Sequence, residues 1–167
     1  IEALLAFFVE STFLAVWLFG WEVLSKRLHL LTIWLVALAT SVSATWILAA
    51  NSFMQQPVGF VVRGGRAEMA DFFALILNPH LWVQFPHTVA AAFTTAVFFV
   101  LGISAYHLAR AFNVDMFRRS FQIAAIIGLI AIGLTIFYGH RQARYKAEVH
   151  PMKIAAVEGL FESENPA

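Results

Sequence analysis

Two acidic residues, Glu2 and Glu10, lie within an apolar run at the beginning of the chain, where carboxylates are unusual. On a helix, eight residues correspond to about 12 Å of rise and about 80° of rotation, so the two share one broad face. A carboxylate at membrane depth is costly unless it faces a bundle interior, a partner or a water path. Ser11 follows Glu10 and adds a hydroxyl. The pattern predicts proton-handling chemistry at Glu10, whereas Glu2 is also explained as a helix end near water.

A third carboxylate, Glu22, stands twelve residues beyond Glu10, which is about 18 Å along a helix. It has an ordinary explanation as an interfacial charge paired with Lys26 at the i,i+4 spacing. With Glu10 it can instead form the entrance of a proton route, provided that waters or hydroxyls fill the gap. The candidate hydroxyls lie on the next apolar run, at Thr40, Ser41, Ser43 and Thr45. Hydrogen bonding between helices explains these hydroxyls equally well.

His87 follows Pro86 at the beginning of a later apolar run. A neutral imidazole can ligate haem iron, and Pro86 is predicted to begin a helix and to aim the ring inward. A histidine at a membrane interface is also a common polar anchor, so both explanations stay open. His107 lies twenty residues later, about 30 Å along a straight helix, so the two cannot ligate one haem. The remaining histidines are expected to be solvated: His29, His80, His140 and His150.

Near the end of the chain, Lys153 and Glu158 stand five residues apart beside apolar neighbours. On a helix this spacing places them only loosely on one side. The segment is explained either as an amphipathic surface helix or as a polar clamp on a headgroup near the membrane interface.

The composition shows what kind of protein must position these residues. Of the 167 residues, 60% are hydrophobic and 13% are charged, whereas soluble domains carry about 25% charged residues. So few polar side chains cannot coat a globule in water, and lipid must be part of the solvent. A net charge of +1 argues against nucleic-acid binding. The absence of cysteine excludes disulfides, thiolate metal sites and iron–sulfur clusters.

A bilayer core about 30 Å thick is crossed by roughly 20 mainly apolar residues in a helix. Runs of this kind cover residues 1–24, 30–53, 87–111 and 120–139. We therefore predict an all-α, polytopic transmembrane bundle within residues 1–140, with about four spanning helices. Residues 54–86 are expected to form an interfacial segment with a short amphipathic helix from Glu68 to Leu77, ended by Asn78 and Pro79.

The short connections at residues 25–29 and 110–119 carry clustered Lys and Arg, which predicts that they lie on the cytoplasmic side. Residues 141–167 are predicted to begin an extracytoplasmic loop. Since Ile1 already lies within an apolar run, we expect the chain to be an internal piece of a longer polypeptide.

Together these residues resemble subunit I of the cytochrome bd-type quinol oxidases. Residues 1–13 are similar to the third helix of that subunit, and the likeness continues in order, at compatible spacings, through nearly the whole chain. The other similar segments are residues 19–22, 34–38, 43–48, 50–55, 87–90, 101–105 and 153–158.

The resemblance implies a role for each haem-site residue. His87 matches the axial histidine of the low-spin b haem. Glu2 matches a carboxylate at a di-haem site, which holds the high-spin b haem and either haem d or a b-type substitute. Other ligands of these haems, among them a methionine and a histidine, belong to helices that this sequence does not contain. The chain alone is therefore not expected to bind the full haem set or to turn over.

The resemblance also implies paths for protons and quinol. Glu10 and Ser11 match a proton-path pair with Ser43 nearby, and Glu22 matches an acidic residue at the cytoplasmic mouth of that path. In the same way, the quinol-contacting pair at the start of the extracytoplasmic loop is matched by Lys153 and Glu158.

The implied function is that of subunit I of a terminal respiratory oxidase, a multi-pass protein of the bacterial inner membrane. Such an enzyme oxidises quinol, reduces oxygen to water, takes protons from the cytoplasm and works with a second subunit. A proton-coupled transporter without a cofactor is the alternative, but it calls for discontinuous helices and a repeat relation, neither of which the sequence shows. A structural membrane scaffold is a third interpretation, and it leaves Glu10 unexplained.

Overall fold

A computed structural model of the chain describes residues 2–159, with side chains described from residue 4 onward. The elements in chain order are α1 (Glu2–Phe19), α2 (Lys26–Gln55), β1 (Phe60–Arg63), β2 (Arg66–Met69), α3 (Phe72–Ile76), α4 (Pro79–Ala109), α5 (Val114–Val149) and α6 (Pro151–Glu158). They fall into two units, Ile1–Leu81 and Trp82–Ala167.

The prediction of a mostly helical chain with membrane-spanning helices is confirmed, but not the count of about four spans. Within residues 2–159, three helices are long and apolar enough to cross a membrane, namely α2, α4 and α5. Helix α1 is apolar as well, but its 18 residues fall short of the roughly 20 that a bilayer core calls for. The fold is mostly helical, with one small hairpin of strands that the all-α prediction omitted.

In the first unit, α1 packs against α2 through one face. The side chains or backbone of this face are buried or half-buried, whereas the other described positions of α1 are exposed. The face consists of Ala6, Glu10, Phe13, Trp17 and Gly20. Spacings of four and three residues place all five on one stripe of a helix. Glu10 therefore belongs to the contact face.

Helix α1 ends at Phe19, earlier than the predicted boundary near residue 24. A Cβ at Gly20 would lie 2.4 Å from the Val16 carbonyl oxygen, so the turn that follows has room for glycine only. The carbonyls of a last helical turn lack intrahelical donors, and His29 Nε2 donates to one of them, the Trp17 oxygen, at 2.8 Å. The prediction that His29 is solvated is wrong, because this bond and a tilted contact with the Trp21 ring, 4.2 Å between centroids, hold its ring.

The segment between α2 and α4 differs from the prediction. Residues predicted to begin an amphipathic helix at Glu68 instead form β2, which pairs antiparallel with β1 from Phe60↔Met69 to Arg63↔Arg66. Gly64 and Gly65 have φ values of +56° and +75°, the positive range that a two-residue hairpin turn favours. The helical part shrinks to α3, Phe72–Ile76.

Helix α4 begins at Pro79, so the prediction that His87 opens this helix is wrong. The Asn78 side-chain oxygen accepts from the His80 backbone N–H at 2.9 Å, and Pro79 occupies the first helical position, where proline needs no donor. Pro86 consequently lies inside the helix. His80, predicted to be solvated, is buried with 1% exposure.

In the second unit, small residues bring α5 close to α4. A Cβ at Gly128 would lie 2.7 Å from Val97 Cγ1, and Ala90, Ala124 and Ala131 are buried. Helix α5 continues beyond the predicted apolar run of residues 120–139 to Val149. Residues 141–149, predicted to begin a loop, are therefore helical, and α6 follows directly after His150.

Candidate functional site

His87 is half-buried in the third turn of α4. Its Nδ1 lies 3.1 Å from the backbone carbonyl oxygen of Thr135 on α5. A carbonyl oxygen can only accept, so Nδ1 carries the hydrogen and Nε2 keeps its lone pair in the neutral ring. That is the tautomer in which imidazole can ligate a metal ion through Nε2.

The imidazole of His87 also rests against Gly139, one helical turn beyond Thr135. A Cβ at Gly139 would lie 3.1 Å from Cε1 and 3.3 Å from Nδ1 of the ring. The Thr135 hydroxyl lies 3.1 Å from that of Thr94 on α4. Thus three residues of the α4–α5 contact surround or brace the histidine.

A cavity of about 480 Å³ lies between α4 and α5, and His87 is not among the residues that line it. Its wall is almost wholly apolar and includes Pro86 and Val89, one and two residues from His87 on the chain. The other lining residues are Trp82, Phe85, Ala90, Phe93, Ile127, Ile130, Ala131, Leu134 and Tyr138. Apolar, aromatic walls are usual for cofactor pockets.

The residues present fit the haem that the sequence resemblance implies. Within residues 2–159, no three His, Asp or Glu side chains cluster in a way that could hold a bare metal ion. A haem needs only an axial ligand from the protein, and histidine is a common one. His87 can supply that ligand through Nε2, because its Nδ1 faces the Thr135 carbonyl.

Sequence reasoning identified His87 but missed Thr94, Thr135 and Gly139, which contact or brace it. One signal was available, because small residues recur on α5 at Gly128, Ala131 and Thr135. Such spacing marks the face through which membrane helices approach each other closely. It could have predicted that α5 packs here, although not that it reaches His87.

The predicted proton-path residues are placed unevenly. Glu10 is half-buried on the α1 face that contacts α2, and no hydrogen bond or ion pair of its carboxylate is found among the described side chains. Ser11 is exposed, and its hydroxyl donates to the Phe8 carbonyl at 3.2 Å. Glu22 is exposed in the turn after α1. The side chain of Glu2 lies outside the described part of the chain.

The hydroxyls of α2 mostly donate hydrogen bonds to carbonyls of the same helix. Thr40 and Ser41 donate to the carbonyls of Val36 and Ala37 at 3.0 Å and 2.8 Å. Thr45 likewise donates within its own helix. Ser43 is half-buried, and the structure does not join it to Glu10 by a hydrogen bond.

On α6, Lys153 and Glu158 are both exposed, whereas Ile154 and Ala155 between them are half-buried. This arrangement agrees with an amphipathic helix that presents its charges outward. It leaves both charged groups accessible to a molecule at the membrane interface.

Comparisons with known proteins agree over the whole chain. The family model described as Cytochrome bd terminal oxidase subunit I matches residues 1–167. Cytochrome bd ubiquinol oxidase subunit 1 of Bacillus subtilis (strain 168) is 54% identical, with 100% of this chain and 36% of the relative aligned. For cytochrome bd-II ubiquinol oxidase subunit 1 of Escherichia coli (strain K12), identity is 44%, with 98% of this chain and 32% of the relative aligned.

A solved structure is also similar. The structure of bd oxidase from Geobacillus thermodenitrificans matches with a TM-score of 0.83 and 29% sequence identity. The match covers 96% of this chain and 38% of the Geobacillus chain. The chain therefore spans about a third of the length of the curated relatives it matches.

Proposed function

The chain belongs to the cytochrome bd terminal oxidase subunit I family, and we propose on that basis that it forms part of a quinol:oxygen oxidoreductase. The intact enzyme would oxidise quinol and reduce oxygen to water. The observation that carries the proposal is the half-buried His87, whose Nε2 lone pair is available while Nδ1 faces the Thr135 carbonyl.

His87 is proposed as an axial ligand of a low-spin b haem. When bound, that haem carries single electrons. The ring stands on α4 and is held by a bond to a backbone carbonyl of α5.

Glu10 is proposed to hold and pass protons inside the bundle. Its support is its position on the packed face of α1, since a carboxylate at membrane depth faces an interior or a water path. Glu22, exposed at the α1–α2 turn, would collect protons from cytoplasmic water. Ser43 and Ser11 are proposed as further members of the path, although Ser11 would first have to release the Phe8 carbonyl.

Three further assignments belong to the same proposal. Glu2 would lie at the di-haem site that holds the high-spin b haem and haem d or a b-type substitute. Lys153 and Glu158, both exposed on α6, would contact the quinol headgroup on the outer side. Support for the last assignment is that α6 follows the membrane-spanning α5 directly.

The membrane arrangement is proposed as follows. Helix α1 would be a fourth span in the bacterial inner membrane, since its outward positions include Leu4, Leu5, Phe7 and Phe8, all more than half exposed. A second oxidase subunit would assemble with the intact protein. The chain's own contribution would be haem ligation and part of the proton path.

Haem ligation is tested by the reduced-minus-oxidised absorption spectrum of membranes that contain the full-length protein. We expect His87→Ala to remove the low-spin b component. His107→Ala is the matched control on the same helix, because its ring stacks on Phe117 at 4.3 Å, and it should keep that component. A low-spin signal that survives His87→Ala would refute the assignment.

The proton path is tested separately with Glu10→Gln in the full-length enzyme. We expect oxygen consumption to fall by about tenfold or more, because proton transfer by a positioned group contributes at least that much, while haem content stays normal. Glu148→Gln, an exposed carboxylate on α5, is the control. Unchanged turnover in Glu10→Gln would exclude this residue from the path.

A further inference from the structure

We propose that α5 is the positioning element of the His87 imidazole, in which Thr135 fixes the tautomer and Gly139 fixes the place of the ring. The inference rests on the proposed function, in which His87 ligates a haem. From the sequence, only the ligand of this site was expected. The inference adds Thr135 and Gly139 as positioning residues, with Thr94 bracing Thr135.

The first component is the Thr135 backbone carbonyl. In an α-helix this oxygen accepts from the N–H four residues later, but a carbonyl has two lone pairs and can accept twice. The His87 Nδ1–H, 3.1 Å away, takes the second lone pair. This bond selects one tautomer and makes the remaining nitrogen more basic, as partners of metal-bound histidines commonly do.

The second component is the missing side chain at Gly139. Because a Cβ there would approach the ring to 3.1 Å, the imidazole lies directly against the helix backbone. A larger side chain would have to push the ring away from the Thr135 carbonyl. Gly133 on the same helix has nothing within 4 Å of the corresponding Cβ position, so it provides a matched control.

The third component is the contact between the Thr94 and Thr135 hydroxyls, 3.1 Å apart. Each also lies within hydrogen-bonding distance of a carbonyl on its own helix, 2.9 Å for Thr94 and 2.8 Å for Thr135. Thr94 stands seven residues after His87, which places both on one face of α4. The contact therefore fixes the register of α5 beside the histidine.

A ring that is held in this way loses little freedom when it binds iron. Without the carbonyl, either ring nitrogen could carry the hydrogen, and the ring could rotate about its side-chain bonds. The α5 surface thus preorganises the ligand before the haem arrives, and it sets the electron donation of Nε2 once the haem is bound.

The steric component is tested with Gly139→Val and Gly133→Val in the full-length oxidase. We expect Gly139→Val to retain low-spin haem about tenfold less well, in the range reported for lost second partners of metal ligands. The measurement is the rate of haem loss to an excess of a haem-binding apoprotein, with the haem-to-protein ratio. Gly133→Val should behave like the parent enzyme.

A gentler pair of variants keeps the test valid if Gly139→Val fails to fold. Thr135→Val keeps the backbone carbonyl but removes the hydroxyl contact with Thr94 that fixes the register of α5. We expect the bond from His87 to the carbonyl to weaken, and a higher midpoint potential of the low-spin haem because the imidazole becomes a weaker donor. Thr95→Val is the control, since the Thr95 hydroxyl is exposed and bonds to the Ala91 carbonyl of its own helix. Its potential should not change.

The outcomes separate this inference from the proposed function. If His87→Ala removes the low-spin haem but the variants of Gly139 and Thr135 match their controls in haem retention and potential, the positioning role is refuted and the ligand stands. If His87→Ala leaves the low-spin haem in place, both are overturned. Selective effects at Gly139 and Thr135 support the inference.

Discussion

The close approach of α4 and α5 at Gly128 allows a quantitative test of the packing. A Cβ there would lie 2.7 Å from Val97 Cγ1, well inside the roughly 3.5 Å at which two carbon atoms attract best. Val97 is buried and β-branched, and the χ1 angle of such a residue is nearly fixed in a helix. Its methyl group therefore cannot swing aside, and Gly128→Ala must separate the helices.

The magnitude follows from two opposing terms. Replacing glycine by alanine within a helix gains about 1 kcal/mol of intrinsic stability, whereas overpacking a tight contact costs about 1–3 kcal/mol. Gly133→Ala has the gain without the cost, because nothing lies within 4 Å of its added methyl group. We therefore expect Gly128→Ala to be about 1–3 kcal/mol less stable than Gly133→Ala.

The assay is detergent-induced unfolding of the full-length protein, followed by circular dichroism. Adding Val97→Ala to Gly128→Ala should recover most of the loss, because the new methyl group fills the space that the valine leaves. A nonadditive result of this kind is the signature of two residues in contact. Equal stability of Gly128→Ala and Gly133→Ala would refute the proposed packing.

Three further predictions concern other parts of the chain. His29→Phe should lower the free energy of unfolding by about 0.5–1.5 kcal/mol, since the Trp17 carbonyl loses its donor. Hydrogen exchange at the end of α1 should accelerate, and unchanged exchange would contradict the capping role. Asp71→Ala should lower the free energy of unfolding by about 0.5–2 kcal/mol, because Asp71 caps α3. Limited proteolysis should then cleave this variant more readily near residues 58–77, whereas Asp71→Asn should resist cleavage. Lys153→Ala should raise the KM for quinol about tenfold, which corresponds to about 1.4 kcal/mol of binding free energy. The haem spectrum should not change. An unaltered KM would exclude Lys153 from the quinol site.

The membrane helices were predictable because length and hydropathy alone decide whether a helix can cross a bilayer. The ends of these helices were not predictable, since local hydrogen bonds set them. Asn78 and Pro79 were expected to end one helix, but the Asn78 side chain accepts from His80 and begins the next. The hairpin turn at Gly64 and Gly65 outweighed the weak helical pattern that follows it.

Of the candidate site, the sequence identified only the proposed haem ligand. His87 stands out in the sequence as a histidine within an apolar run, and the family resemblance that assigned it is confirmed over the whole chain. Its partner Thr135 lies 48 residues away, and a backbone carbonyl leaves no trace in residue type. A contact of this kind depends on how two helices pack, which a single sequence does not reveal.

Helix α5 is one uninterrupted rod from Val114 to Val149, and it leads directly into α6. Thr135, whose carbonyl contacts the imidazole, lies fourteen residues before its end, about 21 Å along the axis. Only His150 separates α5 from α6, so a force applied to α6 would act on the helix whose carbonyl contacts the imidazole. The position of α6 and the position of the His87 ring would then be mechanically coupled through α5.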